Sequence, residues 1–163
     1  MWERQFDVPL SVSRGSAASQ THHAKQKQAL GEANPKILSI SAVSEDHDLL
    51  RRILNDPHWR ITRAFSCHQA ITCLCRDRMA LIVCDCHLPD GTWRDILSYI
   101  AALNDPPSVI VTALTADANL HSEVRSLGGY DVLAKPFSPE KVKHVLAAAW
   151  EDRTILADVA APV

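Results

Sequence analysis

Ala80-Leu-Ile-Val-Cys-Asp85 is an apolar run that ends abruptly in a carboxylate. A strand apolar at every position has to be covered on both faces, which is the environment of a parallel sheet. Its terminal Asp85 then falls where the cover stops. Three more short runs share this character: Ile37-Leu-Ser-Ile40, Ser108-Val-Ile-Val-Thr112 and Tyr130-Asp-Val-Leu-Ala134. A fifth, Trp59-Arg-Ile-Thr-Arg-Ala64, alternates like a strand.

Helical spacing fills the intervals. Ser44-Glu-Asp46 places acids at the positive end of a helix that carries Leu49, Leu50, Ile53 and Leu54, stopped by Asn55-Asp-Pro57. Ser66 can cap a second helix bearing Ala70, Ile71 and Leu74. Leu88-Pro-Asp-Gly91 reads as a turn before a third, with Trp93, Ile96, Leu97 and Ile100, which ends at Asp105-Pro-Pro107. A weaker helix runs to Leu127 and stops at Gly128-Gly129. Ser138-Pro-Glu140 opens the last helix, whose inner stripe is Val142, Val145, Leu146 and Trp150. Five strands alternating with five helices predict an α/β fold, a flavodoxin-like doubly wound five-stranded parallel sheet of order 2-1-3-4-5 with helices on both faces. Sites in such sheets lie outside the carboxyl ends of the strands, at the switch point between strands one and three.

The chain of 163 residues suffices for one domain. Residues 1–34 are small, polar or amide-rich without an apolar period and are read as a flexible N-terminal tail. The domain is expected over 35–152, with a C-terminal tail over 153–163. A net charge of -2 gives no electrostatic case for nucleic acid or a membrane surface. The first ten residues hold Glu3, Arg4 and Asp7 and no apolar signal core, so a cytoplasmic location is expected. Five cysteines, Cys67, Cys73, Cys75, Cys84 and Cys86, sit within predicted elements and are read as reduced thiols.

The polar residues at the predicted carboxyl edge are Asp85, Thr112 and Lys135. Asp85-Cys-His-Leu-Pro89, Val111-Thr-Ala113 and Tyr130-Asp-Val-Leu-Ala-Lys-Pro-Phe137 resemble the signature stretches of response-regulator receiver domains, the CheY-like superfamily, across about Lys36 to Trp150. The resemblance implies a signalling module in two-component phosphorelay rather than an enzyme. Asp85 would be the phospho-acceptor, Thr112 the switch hydroxyl and Lys135 the phosphate partner, with Ala113 leaving room for the phosphoryl group. It implies a cis Lys135–Pro136 bond, a histidine kinase or phosphotransfer protein as donor, and a downstream protein or homodimer as recipient. The recipient's face would include the helix ending at Leu127, Tyr130, Lys141 and His144. Only Glu151 to Val163 follow Trp150, so the chain is read as a stand-alone receiver.

The pattern breaks after strand one, where the family carries two acids and this chain has Ser41 and Ala42. It resembles an atypical subgroup lacking that pair. Magnesium usually takes one or two carboxylates. Asp85 with the backbone carbonyl of His87 makes a poor site, so Mg²⁺ binding is expected to be weak. Glu45 and Asp46, about one helical turn later, either reach in or serve the helix dipole. The aromatic that many receivers place three residues before the lysine is Val132 here, and Tyr130 is expected on the same strand face. The runner-up is a degenerate receiver that binds proteins without phosphate control. A flavin site at Ser39, Ser41 and Ser44 leaves Lys135-Pro-Phe137 unexplained. A metal or redox thiol site lacks a C-x-x-C pair. Limited proteolysis followed by mass spectrometry is expected to remove residues 1–34 rapidly and leave the remainder with nearly unchanged thermal stability.

Overall fold

The structure, a computed structural model, describes residues 34–160. The tail expected at 1–34 therefore lies, but for Asn34, outside the described residues. The elements in chain order are β1 Lys36–Ile40, α1 Ser44–Ile53, β2 Arg60–Ala64, α2 Cys67–Arg76, β3 Leu81–Asp85, α3 Trp93–Ile100, β4 Ser108–Ala113, α4 Ala118–Ser126, β5 Asp131–Ala134 and α5 Pro139–Ala160. These five strands form one parallel sheet, in the order β2-β1-β3-β4-β5. This is the flavodoxin-like arrangement read from the sequence.

The pleat sends alternate residues of each central strand to opposite faces. Leu38, Ile40, Ile82, Cys84, Val109, Val111 and Val132 pack against Ala70 of α2, Trp93 and Ile96 of α3 and Val124 of α4. Ile37, Leu81, Val83, Ile110 and Leu133 pack against Leu50 and Ile53 of α1 and Val142 and Leu146 of α5. Each large apolar side chain buried this way stabilises the fold by about 1.5–3 kcal/mol. The sheet's polar ends are thereby left at its two edges, and its carboxyl edge carries the candidate site.

The turn after β3 is a two-residue hairpin pairing His87–Leu88 with Gly91–Thr92. Asp90 at its tip accepts the backbone N–H groups of Cys67 and His68 at 2.7 and 2.9 Å, so the hairpin caps α2. Those bonds hold the Asp90 carboxyl below its usual range. Thr92 and Asp95 close a capping box at the start of α3. Gly91 fits between them: a Cβ there would stand 2.7 Å from Asp95 Oδ2 and 2.9 Å from Cys67 Sγ. Gly128 ends α4 with φ of 94°, a left-handed conformation that glycine adopts without strain.

Two expectations are corrected. The last helix does not give way to a tail at 153 but continues to Ala160. Residues 151–160 contain no glycine or proline, and Arg153 ties the helix to the Asp105 carboxylate and the Pro106 carbonyl at 2.5 Å each. Tyr130 does not share the face of Val132. It precedes β5, packs with the α1–α5 cluster and donates its hydroxyl to Asp152 at 2.7 Å. Strand alternation did not extend back to it. Gly91→Ala is expected to lower stability by about 1–3 kcal/mol, because both groups it would crowd are fixed. Urea denaturation should show the midpoint falling with the slope unchanged.

Candidate functional site

β3 ends in Asp85, and its neighbour β4 pairs Thr112 directly opposite. The Cys86 N–H bonds to the Thr112 carbonyl at 3.0 Å, and the Lys135 N–H to the Ala113 carbonyl at 2.8 Å. These backbone bonds fix where the three side chains begin. The Lys135–Pro136 peptide is cis. The Thr112 hydroxyl donates to Asp85 Oδ1. The Lys135 ammonium lies 2.7 Å from the same oxygen. Asp85, Thr112 and Lys135 thus meet at one edge, with Asp85 and Lys135 side chains only 13% and 16% exposed. Ala113 and His87 line the adjoining cleft of about 480 Å³.

Asp46 joins them. From the first turn of α1 it places Oδ2 2.5 Å from the Lys135 ammonium. Glu45 beside it is exposed. Ser41, which follows β1, stands between the two carboxylates, 2.7 Å from Asp85 Oδ2 and 3.0 Å from Asp46 Oδ2. A hydroxyl has one proton, so Ser41 donates to one carboxylate at a time. Its own oxygen accepts the Val43 N–H at 3.1 Å. Burial alone would lower the Lys135 pKa, but hydrogen bonds and attraction from Asp46 and Asp85 outweigh it and hold the ammonium above its ordinary value.

His47 supports this arrangement from beneath and was missed in the sequence. It is 1% exposed. Its Nε2 lies 3.0 Å from the Ser41 carbonyl and its Nδ1 2.8 Å from the Ser39 hydroxyl. A carbonyl only accepts, so Nε2 carries the proton and Nδ1 accepts from Ser39. Asp46 and His47 are adjacent on a helix and point about 100° apart. One therefore reaches the site while the other is driven under the strand. The pairing of an acid and a histidine at a helix start was the available signal.

The thiols offer no competing centre. Burial pushes Cys67 up to about 11, with Asp90 adding to it, and pushes Cys84 well above the usual thiol range. All five cysteines are unpaired. Ser39 and Ser41 spend their hydroxyls inside the domain, which removes the basis for a flavin loop.

A parallel sheet with a carboxylate, a hydroxyl and an ammonium at its carboxyl edge defines a CheY-like module. The sequence model of the response regulator receiver domain matches residues 40–147, well over half of the chain, and the protein belongs to that family. It is similar to the "Probable transcriptional regulatory protein TcrX" of Mycobacterium tuberculosis H37Rv, 36% identical over 86 residues, which cover 52% of this chain. The match spans only 36% of that relative's length. Among solved structures, the signal receiver domain of a protein described as a LuxO repressor from Vibrio parahaemolyticus superposes with a TM-score of 0.73. It is 23% identical and covers 78% of this chain and 98% of its own. The chemotaxis response regulator CheY4 of Vibrio cholerae superposes with a TM-score of 0.65 at 17% identity, covering 71% and 98%. The protein is a receiver domain of two-component signalling, and such domains are signalling modules. No helix among the described residues is long and apolar enough to cross a membrane.

Receiver domains commonly bind Mg²⁺ in an acidic pocket. The residues here do not fit that ion. Ser41 and Ala42 supply no carboxylate, and three of the four carboxylate oxygens of Asp46 and Asp85 already hold Ser41, Thr112 or Lys135. Among the described residues no group of three or more His, Cys, Asp or Glu is arranged for a metal.

The His47 pKa is depressed from about 6.5, first by burial and also by Arg63. A group with a depressed folded pKa contributes stability above its unfolded value and loses it as pH falls through the folded one. Stability should therefore decline on the acid side of pH 6.5. His47→Leu is expected to cost about 1–3 kcal/mol by leaving the Ser39 and Ser41 groups unpaired. It should also flatten that part of the profile, read by denaturant midpoints at a series of pH values.

Proposed function

We propose that Asp85 is the phospho-acceptor of this receiver. The observation that carries the reading is the Lys135 ammonium 2.7 Å from the Asp85 carboxylate, beside the Thr112 hydroxyl, at the mouth of an open cleft. An Asp85 oxygen forms a bond to phosphorus as the donor's phosphorus–nitrogen bond breaks. The imidazole of the donor histidine leaves with the electron pair and takes a proton from water. Lys135 neutralises phosphoryl oxygens and Thr112 donates to one of them. The donor is a histidine kinase or phosphotransfer protein. A downstream protein or a second copy takes the output at a face that includes Lys141 and His144, both exposed on α5. The domain acts in the cytoplasm, away from nucleic acid and membrane.

One observation favours a second reading, a receiver shape that binds partners without phosphate. Both oxygens of Asp85 are already engaged, Oδ1 by Thr112 and Lys135 and Oδ2 by Ser41. Attack on phosphorus has to release one of them. Incubation with a small phosphodonor such as phosphoramidate, followed by intact mass, separates the two. Addition of one phosphoryl group to wild type, lost in Asp85→Asn and acid-stable nowhere else in the chain, is the expected result. An unmodified wild type, with partner binding equal in Asp85→Ala and Lys135→Ala, would leave only the second reading.

A further inference from the structure

We propose that Lys135 is the resident cation of this site, held by Asp46 and Asp85 in the part that a divalent metal plays in a receiver with two acids after β1. The assignment rests on reading this cluster as the phosphoryl-accepting site, and goes beyond it by naming what replaces the metal.

The geometry carries the argument. Asp46 and Asp85 each place an oxygen on the same ammonium, at 2.5 and 2.7 Å. Ser41 crosses between the same two carboxylates. Two acids, one ammonium and a serine hydroxyl form a closed cluster in which the acids repel little, because each faces Lys135. A magnesium ion entering between them needs oxygens at about 2.0–2.1 Å in near-octahedral array. It would have to strip Lys135 and Ser41 from the carboxylates and then sit against the displaced ammonium. Like charges at such separations in a partly buried site are strongly disfavoured. The position next to Ser41, where a further carboxylate would be needed, is Ala42, whose methyl offers no ligand.

Asp46 is thus a positioning residue for the ammonium. Its place in the first turn of α1 suits it for that part, since the helix N-terminus stabilises its negative charge. His47, the next residue, anchors the Ser41 carbonyl and so sets the height of the serine hydroxyl between the acids. The consequence is that transfer to Asp85 proceeds without a divalent metal.

The test is a magnesium titration of the full chain. It is followed by amide NMR shifts at Ser41, Asp46, Asp85 and Lys135, with the ¹H–¹⁵N signal of the Lys135 ammonium read in the same samples. Wild type should show a protected ammonium signal and no saturable shift across the physiological magnesium range. Asp46→Asn should lose the protected signal without gaining magnesium binding. Ser41→Asp restores a carboxylate directly after β1 and should bind magnesium at least about tenfold more tightly than wild type. Ala42→Asp serves the same purpose should Ser41→Asp not fold. Saturable binding by wild type, abolished in Asp46→Asn, would overturn the proposal and make Asp46 a metal ligand. A folded carboxylate variant that still ignores magnesium would overturn it as well. Phosphodonor assays with magnesium and with a chelator keep the two readings apart. Modification that requires magnesium removes the cation assignment and keeps Asp85 as acceptor. No modification in either buffer, with the titration as expected, removes the acceptor and keeps the cation.

Discussion

An ammonium between two carboxylates organises the carboxyl edge of this domain. Lys135 comes from the end of β5, Asp85 from the end of β3 and Asp46 from the first turn of α1, so one ionic cluster joins three elements that are distant in sequence. Any single member left alone would be a partly buried charge without a partner, which costs several kcal/mol. The sheet supplies the precision the cluster needs. Parallel pairing sets Asp85 opposite Thr112, and the Ala113 carbonyl fixes the Lys135 backbone. The buried faces beneath, filled by Ile82, Cys84, Val111 and Val83, leave those strand ends little freedom to shift.

Support for the cluster is asymmetric. On the β1 side a neutral histidine holds the Ser39 hydroxyl and the Ser41 carbonyl. On the α2–α3 side the turn after Asp85 is held by Asp90 on the start of α2 and by the Thr92–Asp95 capping box on α3. Gly91 is the one position in that turn where the two supports come too close for a side chain. The hairpin therefore belongs to the site's foundation although none of its side chains reaches Asp85. The exposed ion pairs elsewhere, such as Lys36–Asp77, add little by comparison.

Most of the fold was legible because its signal is periodic. Apolar runs ending at Asp85 and Thr112, with helical spacing between them, are enough to predict the sheet order and the edge at which Asp85, Thr112 and Lys135 gather. The features that escaped are those periodicity does not encode. Asp46 in sequence looks like any acid at a helix start, and its reach to Lys135 depends on where α1 packs against the sheet. Ser41 read as a lost acid, since nothing local says that a hydroxyl will bridge two carboxylates. His47 sits at an apolar position of α1, where only the buried Ser39 hydroxyl and Ser41 carbonyl explain it. Tyr130 was placed by extrapolating the pleat one residue beyond the strand, where the backbone no longer alternates. The extension of α5 to Ala160 was signalled only by the lack of glycine and proline in residues 151–160, and the Arg153–Asp105 contact that accompanies it is invisible in the chain.

The same cluster bears on how a signal at Asp85 would leave the domain. A ligand shifts an equilibrium only by its differential affinity for the two states. Thr112 already bonds to Asp85, so it has no longer swing to make toward a group placed there. Val132 is completely buried in the α2–α4 core and has no polar end to exchange partners. Tyr130, just before β5, is committed to Asp152 on α5. What remains free to respond is the loop after β4, where Leu114 stands 84% exposed beside the cleft. A phosphoryl group on Asp85 would draw Lys135 and Thr112 toward its oxygens and loosen the hold of Asp46. The first backbone to feel that exchange is the stretch from Thr112 to Leu120, which lines the cleft and leads into α4. On the proposed reading, output would run through the β4–α4 loop and the register of α4, rather than through rotation of an aromatic on β5.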